Sequence, residues 1–95
     1  MYKIISSQYF KKKYRKIVTN NKILATKIDA VLQKLASDPY QKPLKTHKVD
    51  SKLAIGVYSS RVTGDIRIIW EQLDCELVLL LLDIGGHSGG SKVYK

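Results

Sequence analysis

The run Glu76-Leu77-Val78-Leu79-Leu80-Leu81-Leu82 is apolar at all but its first position, and a strand of that composition needs cover on both faces. Two upstream segments can provide part of it. Between Gln8 and Val18 the residues Phe10, Tyr14, Ile17 and Val18 recur at i, i+4, i+7 and i+8, while Lys11, Lys12, Lys13, Arg15 and Lys16 fill the remaining arc. That spacing predicts an amphipathic helix with a basic outer face. Thr19-Asn20-Asn21 supplies turn and capping chemistry. Leu24, Ile28, Val31, Leu32 and Leu35 then form a second helical stripe, which Ser37-Asp38-Pro39 stops. The two helices are expected to form an antiparallel hairpin.

The rest of the chain reads as strands and connectors. Tyr2 to Ser6 is a short apolar stretch ending at Ser6-Ser7, where a serine can cap the first helix. Residues 38–52 are polar and hold Pro39 and Pro43, so they read as a connector. Leu53 to Val62 and Asp65 to Glu71 flank Thr63-Gly64 and predict a β-hairpin. The expected order is strand, helix, helix, strand, strand, strand. This is an α+β fold in which a two-helix hairpin packs on a small, mainly antiparallel sheet, as one domain over residues 1–95.

Charge is concentrated. Of the 17 basic and 8 acidic residues, 12 and 3 lie in residues 1–50, for +9, and 5 of each lie in residues 51–95, for zero. A basic surface confined to one part of a small domain attracts polyanions such as nucleic acid, an acidic protein segment or anionic lipid. The single Cys75 cannot form an internal disulfide, and one cysteine with two histidines is too few for a structural zinc site. The expectation is a reducing, cytoplasmic setting with no metal and no cofactor. Residues 1–6 lack the basic-then-apolar order of a signal peptide, and no apolar run reaches the length of a membrane span.

Few residues can carry chemistry. Arg61 and Arg67 flank the hairpin turn. An odd loop would set both guanidinium groups on one face, where they repel unless an anion lies between them; an even loop would separate them. His87 follows the apolar run within Asp83-Ile84-Gly85-Gly86-His87 and can move a proton near neutral pH. His47 stands between Lys45 and Lys48 in a connector rich enough in cations to line a site. Tyr94 either stacks on a base or packs. There is no GxSxG elbow, no histidine near Cys75, and no pairing of acidic residues that suggests a magnesium cage. Metal-free acid–base chemistry on a phosphodiester remains.

The stretch Lys42-Pro43-Leu44-Lys45, leading to Tyr58-Ser59-Ser60-Arg61-Val62-Thr63-Gly64-Asp65-Ile66-Arg67-Ile68-Ile69-Trp70, resembles a segment and a following hairpin of the RelE/ParE superfamily of toxin–antitoxin toxins. The likeness is greatest to the RelE/YoeB/YafQ branch and spans nearly the whole chain. The resemblance implies a RelE-like fold and an endoribonuclease, an mRNA interferase that inhibits translation by cleaving messages at the ribosome, with a ribose 2′-hydroxyl attacking the adjacent phosphate. It implies that Arg67 and Arg61 stabilise the phosphate, that His87 is the acid–base residue, and that His47 is similar to a histidine of the YafQ branch. Lys11, Lys12, Lys13, Lys45, Lys48 and Tyr94 are the expected RNA-binding residues. The sequence departs from the YoeB pattern at Lys42, where that branch has an acidic residue proposed as the base, which leaves His87 and His47 as candidates. The segment from Ser88 to Tyr94 is also longer than the usual tail.

Two toxin readings follow. The first is the endoribonuclease. The second is a ParE-like toxin that inhibits DNA gyrase and cleaves nothing, to which His87 would be indifferent. Either implies a cognate antitoxin, a toxin–antitoxin hetero-oligomer and no membrane; the first adds mRNA and the ribosome as partners. A third possibility is a relative that binds RNA without cleaving it, with strong salt dependence.

Overall fold

A computed structural model describes residues 1–73, 77–86, 93 and 94. Among these the elements run β1 (Lys3–Ser6), α1 (Gln8–Val18), α2 (Lys22–Ser37), a 3-10 turn (Lys42–Leu44), β2 (His47–Val49), β3 (Val57–Arg61), β4 (Arg67–Gln72) and β5 (Val78–Gly85). The helix limits have local causes. The Ser7 hydroxyl accepts the Phe10 amide N–H at 3.0 Å, and the Asn21 side chain accepts that of Leu24 at 3.1 Å. Each satisfies one of the amides a helix start leaves without an intrahelical partner. The Asp38 amide closes α2 on the Lys34 carbonyl.

The five strands form one mixed sheet in the order β1-β5-β4-β3-β2. β5 pairs in parallel with β1, Ser6 opposite Leu81, and the other neighbours are antiparallel. The helices cover one face. Phe10, Ile28, Val31 and Leu35 meet Ile68, Trp70, Leu79, Leu81 and Ile84 in the main core. On the other face Val57, Ile69 and Val93 form a second cluster with Val49, Ala54, Leu82 and Tyr94 beside it. The apolar run is thus covered by the helices on one face, and on the other only its end is covered, where Leu82 lies beside the second cluster, while Leu77 is exposed.

The expected fold class holds, and three details differ. The connector over residues 38–52 contains the 3-10 turn and an additional strand, β2, whose exposed residues carry no apolar alternation because it lies at the sheet edge. β5 runs on to Gly85 and so takes Asp83 inside the sheet. A register shift between Ile69 and Trp70 leaves Leu82 as the extra residue, since Ile69 pairs with Asp83 and Trp70 with Leu81. Trp70 is fully buried and donates its indole N–H to Ser60 Oγ at 2.8 Å, while Ser60 also bonds Thr46 at 2.6 Å. That chain ties the central strands to the connector. No helix of the described residues is long and apolar enough to cross a membrane.

Candidate anion-binding face

The loop between β3 and β4 spans residues 62–66, an odd number, and Arg61 is the direct cross-strand partner of Arg67. Arg67 in turn pairs with Gly85 of β5. Side chains alternate along a strand, so Arg61, Ser59 and Val57 share a face with Arg67 and Ile69, the face turned away from the helices. A second row lies beside the arginines on that face, comprising His47, Ser59, Ile69 and Asp83.

The turn holds the arginine side chains at its own end. Arg67 Nη1 donates to the carbonyls of Thr63 and Ile66, and Arg61 Nη2 reaches to 4.0 Å from where a Gly64 Cβ would stand. Thr63 Oγ1 braces the loop by accepting the amides of Asp65 and Ile66. Neither arginine forms an ion pair among the described residues. Two neighbouring guanidinium groups left without a carboxylate match the oxygens of a phosphate.

Three more groups converge here. His47 Nδ1 lies 2.9 Å from the Lys45 carbonyl, an arrangement in which the ring can donate to that oxygen, and Lys45 itself sits in the left-handed conformation that ends the 3-10 turn. Tyr94 bridges to Ser51 and shares a 2.5 Å hydrogen bond between its hydroxyl and that of buried Ser59. Tyr94 is therefore packed at the second row and is not a free tail residue. The Asp65 carboxylate rests on Gly86, its Cγ 2.9 Å from where a Cβ would be, so the hairpin turn touches the exit of β5.

The other expected residues distribute differently. Lys11 lines a cleft of about 310 Å³ between the helices, with Phe10, Tyr14, Arg15 and Asp29, and Lys12 is exposed on α1. Lys48 pairs with Tyr58 and by alternation faces away from the arginine row. Lys13 instead forms an ion pair with Asp83 at 2.7 Å. His87 lies outside the described residues. Sequence reasoning missed Asp65, Ser59 and Asp83; the available signal for Asp83 was a charged residue closing an apolar run. The described residues hold no group of three or more metal-ligating side chains.

No known protein-family profile and no curated protein matches the sequence. Solved structures do. A metal-bound toxin from Helicobacter pylori superposes with a TM-score of 0.74 at 24% identity, covering 92% of this chain and 96% of that one. The YoeB-YefM complex from Staphylococcus aureus matches with a TM-score of 0.70 at 22% identity over 93% and 99%. YafQ from Escherichia coli matches with a TM-score of 0.69 at 20% identity over 90% and 93%. The chain has the fold of the RelE/YoeB/YafQ toxins, two helices on a five-stranded mixed sheet.

Proposed function

We propose that the protein is an endoribonuclease toxin of a toxin–antitoxin pair that cleaves ribosome-bound mRNA in the cytoplasm without a metal. The observation that carries this reading is the direct pairing of Arg61 with Arg67 on the face away from the helices. The nucleophile belongs to the substrate. The 2′-oxygen attacks phosphorus and loses its proton to a base, the bond to the 5′-oxygen breaks, and that oxygen takes up a proton, leaving a 2′,3′-cyclic phosphate. Charge gathering on the phosphoryl oxygens is met by the two guanidinium groups, fixed before the reaction by their strands and turn. Two proton transfers remain, and the imidazoles of His87 and His47 are the side chains proposed to accept and donate those protons. His47 is the one whose place on the arginine face is described.

The cognate antitoxin and the resulting hetero-oligomer belong to the same proposal, supported by the fold shared with a toxin in a YoeB-YefM complex. An exposed cationic surface suits a partner segment that orders on binding. Ribosome dependence fits a small enzyme that needs its substrate oriented for it.

Induction in a bacterial host tests the reading, scoring growth arrest and mRNA cleavage for the wild type, Arg67→Ala and His87→Ala. Arrest with cleavage that both substitutions abolish is expected. Arrest with intact mRNA would replace this reading with a ParE-like inhibitor of gyrase.

A further inference from the structure

Asp83 is wholly buried, and its two carboxylate oxygens are served unequally. Oδ1 accepts the Ile84 amide at 2.8 Å and lies 2.7 Å from Lys13 Nζ. Oδ2 has no hydrogen-bond partner among the described residues. The lysine is nearly as enclosed, with 15% of its side chain exposed. A buried ion pair is a weak source of stability, because desolvating both charges can exceed their attraction and an apolar pair of the same size often does as well. An orphaned carboxylate oxygen makes the arrangement costlier still. Stability alone therefore does not account for this pair.

Its position does. Asp83 belongs to the face that carries the arginines, because its partner Ile69 is two residues from Arg67 and Asp83 is two residues from Gly85, the partner of Arg67. Diagonal neighbours of this kind stand about 7–8 Å apart. Pairing with β1 ends at Leu81, so beyond that point the outer edge of β5 is bordered by the start of α1, where the Ser7 hydroxyl bonds the Leu82 carbonyl. Lys13 comes from α1, in the helix layer, and its ammonium reaches Asp83 Oδ1 at 2.7 Å. The result is a lysine ammonium bonded to the carboxylate that borders the arginine row on the β5 side, with His47 at the β2 end of the same row.

We propose that Lys13 is a further anion-binding residue of this face, contacting a second phosphate of a single RNA strand, and that Asp83 is the positioning residue that holds its ammonium there. The inference rests on the reading of the face as an RNA site, and its test separates the two. The probe is a short single-stranded oligoribonucleotide made uncleavable by 2′-O-methylation, with its affinity measured against salt concentration. The central variant is the double substitution Lys13→Met with Asp83→Leu. It removes one positive and one negative charge, so the net charge stays at +9, and the buried pair is replaced by apolar groups that the fold accommodates. Losing one phosphate contact lowers the slope of log affinity against log salt by about 0.7 for a single strand, with affinity down several-fold. Asp83→Asn provides a second reading in which Lys13 is kept and the net charge rises by one. It is expected to weaken binding through lost positioning, whereas net charge alone would tighten it. A double variant that matches the wild type in slope and affinity would overturn the role of Lys13 and leave the RNA-site reading intact. A wild type that fails to bind the strand would overturn the role of Lys13 on a free strand, while mRNA cleavage on induction decides the RNA-site reading separately.

Discussion

Arg61 and Arg67 stand directly opposite each other across β3 and β4, two like charges on one face with no carboxylate paired to either among the described residues. Like charges so placed destabilise a sheet. Arg61→Gln is expected to raise unfolding stability by about 0.2–1 kcal/mol while abolishing cleavage. Urea unfolding of both proteins, with and without inorganic phosphate, checks this: phosphate should stabilise the wild type more than the variant.

Gly86 lies directly against the Asp65 carboxylate of the neighbouring turn. A Cβ there would meet the Asp65 carboxylate at less than van der Waals distance, so Gly86→Ala is expected to cost about 1–3 kcal/mol by overpacking. Asp65→Ala in the same chain should recover most of that loss. A double-mutant cycle measures the coupling, and additive effects would mean that the carboxylate simply swings aside.

Trp70 is both core and tether, fully buried and hydrogen-bonded to Ser60. Trp70→Ala should cost about 3–5 kcal/mol, and Trp70→Phe should cost less because Ser60 keeps its bond to Thr46. Denaturant midpoints at unchanged m-value separate the two effects.

Tyr40 packs against Tyr58 and Trp70. Desolvation by burial pushes its hydroxyl above the ordinary 10.0, and Tyr58 adds to the effect by charge and by hydrogen bonding, with a smaller contribution from Tyr2. The folded chain then holds this proton more tightly than the unfolded chain, so the associated stability is full below pH 10 and is lost as pH rises through the folded value. Tyr40→Phe is expected to flatten the decline of stability above pH 10. Unfolding curves of both proteins at matched alkaline pH provide the measurement.

The helices were legible to within a residue or two because their causes are local: a serine or asparagine cap, an apolar stripe, and Asp38-Pro39 at the end. β2 was not, since an edge strand reading His47-Lys48-Val49 owes its conformation to the neighbouring β3. Neither was the parallel pairing of Lys3 with Val78, which depends on residues far apart in the chain. The facing of Arg61 and Arg67 could be stated only as a choice between odd and even loops, and residues 62–66 decide it. The bond between Lys13 and Asp83 crosses from a helix to the end of a strand, and no spacing in the sequence encodes such a contact.

The place of β5 in the sheet bears on how the protein comes into being. It is the last strand among the described residues yet sits between β1 and β4. While a ribosome is still making the chain, β1 and the β2–β4 meander are unjoined, and the arginine hairpin lacks its neighbour. Synthesis runs from the N-terminus, so the face that carries Arg61 and Arg67 is completed only when Gly85 has left the ribosome. The arginine face is thus assembled late, after every other strand that it uses has been made.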